Sequence, residues 1–87
     1  MKLMIIIVRD VDGETVVQAL VENGHRVTRV ASTGGFLRRG NVTLLVGVDD
    51  SKVQDVVALL RKVCCPPEDG HHQATIFVVD MPYFEQI

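Results

Sequence analysis

Three short stretches carry the side chains with chemistry to offer. The first, ASTGGFLRRGN from Ala31 to Asn41, joins paired glycines to an aromatic ring and two adjacent arginines. Glycines let backbone N–H groups approach an anion closely, and successive N–H groups in a turn form an anion-binding nest. Arginine adds a planar forked donor that suits phosphate oxygens, and both a guanidinium plane and the Phe36 ring can lie against a nucleobase. The plainer alternative is a hairpin loop. In it Gly34 and Gly35 serve turn geometry, Phe36 and Leu37 cover a core edge, and Arg38 and Arg39 face solvent.

The second stretch, CCPPEDGHH, sets Cys64 and Cys65 ahead of His71 and His72 with Glu68 and Asp69 between them. Thiolate and imidazole ligands suit zinc or copper, yet the spacing matches no zinc-finger pattern and adjacent cysteines rarely reach one metal together. The competing reading is a helix end with a buried Cys64 followed by a polar turn, so no metal site is assigned. The third, Asp49 and Asp50, is a carboxylate pair of the kind used in acid–base catalysis. It directly precedes a helical pattern, where negative charge complements the helix dipole. His25 stands beside Arg26, where its protonation would tune a nearby anion site, but a plain strand-end histidine is the favoured reading. No nucleophile, base and orienting group occur at useful spacing, so no catalytic residue is expected.

The elements that must position these residues follow from periodicity. KLMIIIVRD is a β-rich run, and Val16, Val17, Leu20 and Val21 then share one helical face, with Asp12 as N-cap and Gly24 suited to ending the helix. HRVTRVAS alternates, with Arg26 and Thr28 on one side, and NVTLLVGV is the next strand. Val53, Val56, Val57, Leu60 and Val63 repeat at helix spacing behind a capping box of Ser51 and Gln54. HHQATIFVVD supplies a fourth strand before the tail MPYFEQI. The order β-α-β-β-α-β predicts a single α+β domain over residues 1–87, ferredoxin-like, with a four-stranded antiparallel sheet and both helices on one face.

An 87-residue chain that is 47% hydrophobic holds more apolar surface than a monomer of its size readily hides. Leu3 to Val8 and Ile76 to Val79 do not alternate, which predicts that the sheet face away from the helices is covered by another subunit. The net charge of −2 argues against a general nucleic-acid or membrane-surface binder. That sum hides a local excess, since His25 to Val48 contains four arginines and no Asp or Glu. The opening MKLMIIIV has neither the length of a membrane span nor a cleavage pattern, and adjacent cysteines fit a reducing compartment, so a cytoplasmic protein is expected. The central strands carry no aromatic residue for stacking on RNA bases.

The run RVTRVASTGGFLRRGNVTLLVGV resembles the PII-like cyclic di-AMP receptors of bacteria, which carry a loop of the TTGGFLRxGN type between an RxT strand and a strand with GV. MKLMIIIVRDVDG and ATIFVVD extend the resemblance over nearly the whole chain. It implies a PII-like signal transduction protein that forms a homotrimer and binds cyclic di-AMP between subunits, with no other cofactor and with an unidentified downstream protein partner. The implied ligand contacts are Arg26, Thr28, Gly35, Phe36, Leu37, Asn41 and Gly47, with Phe77 near an adenine. Two departures stand out. Gly24 occupies a position where these receptors often have a ligand-touching asparagine, and the segment before the last strand is short. The rival readings are a metal-binding trimer using Cys64, Cys65, His71 and His72, and a structural trimer that has lost its nucleotide.

Overall fold

The computed structural model of the chain describes residues 1–32, 40–66 and 72–87. Its elements run β1 (Lys2–Arg9), α1 (Gly13–Glu22), β2 (Val27–Ser32), β3 (Asn41–Val48), α2 (Val53–Val63) and β4 (Ala74–Asp80). The four strands form one antiparallel sheet in the order β2-β3-β1-β4, so the ferredoxin-like expectation holds, with β1 and β3 at the centre.

One face of this sheet makes the core. Met4, Ile6 and Val8 of β1 and Val42, Leu44, Val46 and Val48 of β3 are buried, two residues apart as the pleat requires, against Val16 and Leu20 of α1 and Val56 and Leu60 of α2. Two faces of helix on one face of sheet is the arrangement these periodicities encode. Val17, Val53, Val57 and Val63 pack partly against this cluster, whereas Val21 is 56% exposed and lies outside it. Among the described residues, no helix lies on the other sheet face. Leu3, Ile5, Ile7 and Leu45 are half-buried there, and Phe77 and Val79 of the edge strand β4 are exposed.

Both helix starts differ from expectation. Asp12 does occupy the N-cap position of α1, but its side chain makes no capping bond. It is 2% exposed and accepts a hydrogen bond from Cys65 N at 3.1 Å, with the Arg9 guanidinium 3.6 Å from its other oxygen. The carboxylate is thus used to hold the end of α2 to the end of β1. The capping box of Ser51 and Gln54 does not form. A 3-10 turn at Asp50–Lys52 precedes α2, whose N-cap position is Lys52 with no side-chain cap. Gly24 does end α1: it follows the C-cap Asn23 with φ +84, a left-handed conformation that glycine adopts without a Cβ penalty. β2 begins at Val27 and its pairing with β3 shifts between Arg29 and Ala31, a bulge that breaks the simple alternation read from the sequence.

Candidate functional site

Arg26 leads into β2, and Thr28 follows two residues later on the sheet face that lacks helices, in register with Leu45. Gly47 lies further along β3, opposite Leu3 of β1. These placements bring Arg26, Thr28 and Gly47 to one cavity of about 420 Å³, which Gly24 and His25 also line. Its apolar lining is supplied by Met1, Leu3, Leu45, Met81 and Phe84. Among the described lining residues there is no Asp or Glu, so the arginine is not matched by a carboxylate in the cavity. Apolar walls with a few convergent polar groups and an excess of positive charge suit a flat, anionic organic ligand.

Two features of this cavity bear on its use. Gly47 is a strand glycine with no positive φ, so its backbone does not need glycine. A Cβ there would meet only the ends of two flexible side chains, Met81 Cε at 3.2 Å and Met1 Cε at 3.7 Å. Glycine inside a strand without a conformational reason marks a place where another group comes close. Arg26, for its part, donates from Nη1 to Gln86 Oε1 at 2.7 Å. The C-terminal tail therefore reaches back across the sheet to the residue that carries the cavity's charge.

Two of the remaining expected contacts, Asn41 and Phe77, do not join this group within one chain. Asn41 starts β3, six positions from Gly47, which is about 20 Å of extended strand. It lines a separate groove of about 210 Å³ with Ile7, Arg9, His72, Gln73 and Thr75. Phe77 shares a cross-sheet row with Thr28, through Leu45 and Ile5, but at the opposite edge of the sheet, about 14 Å away at three strand spacings. Gly35, Phe36 and Leu37 lie outside the described residues, as do Arg38, Arg39 and His71. Gly40, where the chain re-enters, accepts a hydrogen bond from Asp10 N at 2.8 Å and so ties the loop's end to the end of β1.

The cysteine segment is organised around structure. Cys64 is buried, and burial, reinforced by the Asp12 carboxylate, pushes its thiol up to about 11. Cys65 is exposed, and a hydrogen bond to Asp12 together with that carboxylate's charge raises its thiol as well. Both shifts favour the protonated thiol, the form that neither attacks nor ligates. Arg9 Nη2 donates to Cys65 O at 3.1 Å and Pro66 O at 3.3 Å, and Gln73 Nε2 lies 3.4 Å from Cys64 O and Cys65 O. Among the described residues, no group of three or more His, Cys, Asp or Glu side chains is placed to hold a metal ion. No described helix is long and apolar enough to cross a membrane.

The tail residues were not legible as site components. Met81, Phe84 and Gln86 line the cavity although MPYFEQI has no periodicity to place it. The available signal was compositional: Tyr83 and Phe84 are two of only four aromatic residues in the chain, and both fall in its last seven positions.

Comparison with known proteins adds two findings. Residues 1–69 match the family described as cyclic-di-AMP receptor. The fold is similar to that of a functionally unknown protein from Pediococcus pentosaceus solved by crystallography, with a TM-score of 0.79 and 28% sequence identity over 99% of this chain and 96% of that one.

Proposed function

Because this chain belongs to the cyclic-di-AMP receptor family, we propose that it is a cytoplasmic signalling protein that binds an adenine nucleotide, cyclic di-AMP foremost, in clefts between the subunits of a homotrimer. The observation that carries the reading is the convergence of Arg26, Thr28 and Gly47 on one cavity with no carboxylate among its described lining residues. Arg26 supplies charge for a phosphate, Thr28 a hydroxyl beside it, and Gly47 the space for close approach.

The separation of the other contacts supports a ligand held between chains. A site needing Asn41 or Phe77 as well as Gly47 is not assembled within one subunit, because these residues stand at different ends and edges of the sheet. A neighbouring copy can bring its own Asn41, Phe77 or glycine loop to the Arg26 cavity. The open sheet face favours such a neighbour: Phe77 is 53% exposed and Val79 43%, beside the half-buried Leu3, Ile5 and Ile7.

In this reading the protein catalyses no reaction. Ligand binding alters the protein's surface, and that surface is read by a partner protein. Linkage then requires that the partner and the ligand change each other's affinity by the same factor. Titration calorimetry with cyclic di-AMP, ATP and cyclic di-GMP, with mass measured by light scattering, tests the proposal. Cyclic di-AMP is expected to bind to a trimer, and Arg26→Ala to weaken it by about 1.5–3 kcal/mol, the range for a charge-assisted hydrogen bond. Failure of all three nucleotides to bind more tightly than about 100 μM, near −5.5 kcal/mol, removes the nucleotide reading.

A further inference from the structure

The tail after β4 is pinned at two points. Met81 N donates to Met1 O at 3.1 Å, and Gln86 Oε1 accepts from Arg26 Nη1 at 2.7 Å. Phe84 lies between these pins and lines the Arg26 cavity, where it is the one phenyl ring among the described lining residues, the His25 imidazole being the other planar ring. It is nevertheless 60% exposed. An aromatic side chain held at the edge of a cavity, with most of its surface still wet, has apolar area that only an incoming group can cover.

Its neighbour provides the contrast. Tyr83 is 74% exposed, does not line the cavity, and hydrogen-bonds to Glu85 of the tail itself. Adjacent residues of the same chemical class therefore have different placements, one facing the cavity and one turned to solvent. The other apolar lining residues, Leu3, Leu45, Met1 and Met81, are aliphatic or thioether chains that contact a ring without stacking on it. A nucleobase entering beside Arg26 meets two rings in the described lining, the small polar imidazole of His25 and the phenyl of Phe84, and the larger apolar face is that of Phe84.

We propose that Phe84 is a base-stacking residue of the nucleotide site and that the tail from Met81 to Gln86 is a wall of that site. This rests on the nucleotide reading above and extends it to a segment that the family match, which covers residues 1–69, does not reach. Arg26 and Phe84 divide the work: the guanidinium takes the phosphate and the ring takes the base.

The chain contains no tryptophan, so single replacements report locally. In the full-length chain titrated with cyclic di-AMP, Phe84→Trp emission is expected to change at saturation, while Tyr83→Trp emission stays constant. Phe84→Ala is expected to lower affinity about 5- to 150-fold, the loss of one base–aromatic stack, with oligomer mass and urea midpoint unchanged. Tyr83→Ala should bind as the unmodified chain does. Wild-type affinity in Phe84→Ala while Arg26→Ala binds weakly overturns the role of Phe84 and leaves the nucleotide reading standing. An altered oligomer mass in Phe84→Ala also overturns it, since the ring then belongs to a subunit contact. If the unmodified chain binds no nucleotide, the reading fails first and this inference with it.

Discussion

Adding one methyl group at position 47 separates a ligand-driven glycine from a structural one. Gly47→Ala places a Cβ 3.2 Å from Met81 Cε and 3.7 Å from Met1 Cε, with no backbone atom among those near contacts. Met81 Cε must give by a few tenths of an ångström, and it is the free end of an unbranched chain. Replacing glycine at a compatible backbone stabilises by about 0.4–1 kcal/mol through the unfolded state. The clash and the gain are similar in size, so net stability should change by less than about 1 kcal/mol, or within roughly 8 °C in Tm for a domain of this size. Binding should respond differently, because the methyl enters a cavity of about 420 Å³ at the point where the proposed ligand would come closest to the strand. Overpacking of this kind costs about 1–3 kcal/mol, which is roughly 5- to 150-fold in Kd. Urea unfolding at fixed protein concentration and calorimetry with cyclic di-AMP measure the two quantities on one preparation. A stability loss above about 2 kcal/mol, or an unchanged Kd, refutes the argument that the glycine serves the ligand.

Gly24→Asn should tighten cyclic di-AMP binding by calorimetry, since nothing lies within 4 Å of a Cβ there, and asparagine tolerates the left-handed φ of +84 better than most residues, at a folding cost of about 1 kcal/mol. Asp12→Ala should destabilise the fold by about 1–3 kcal/mol in urea, because Cys65 N loses its buried acceptor and Arg9 its carboxylate; Asp12→Asn, which keeps an acceptor, should lose less. Cys64 has its thiol raised in the fold to about 11 from an ordinary value of 9.0, so the unfolded chain releases this proton first. Its contribution to stability is complete below about pH 9 and is lost as pH rises through about 11, and Cys64→Ala should flatten that part of a stability–pH curve.

The order of elements was legible because it rests on local periodicity. Valines and leucines at helix spacing, at Val16 and Leu20 and again at Val56 and Leu60, required a face to bury, and the aliphatic run of β1 provided the sheet beneath them. Gly24 could be placed because a helix stop needs a left-handed residue and glycine supplies one at no steric cost. Arg26 and Thr28, two apart where the chain enters β2, were readable as facing the same way.

What periodicity does not encode is where distant segments meet. Asp12 has the identity and position of a helix cap, but its buried carboxylate accepts instead from the Cys65 amide 53 residues away. Ser51 and Gln54 have capping-box spacing, but a 3-10 turn moves the start of α2 past them. The bulge between Arg29 and Ala31 arises from pairing with β3, which β2 alone does not specify.

The sequence by itself determined the fold class, the polarity of the sheet's two faces and the local excess of positive charge, since each depends on residue type and spacing along one segment. Only the tertiary structure decided that Arg26, Thr28 and Gly47 share a cavity while Asn41 and Phe77 stand elsewhere, and that Phe84 and Gln86 close over that cavity from the far end of the chain. Strand register and the return of the tail are long-range contacts. Their energies come from groups that are neighbours in space and strangers in sequence.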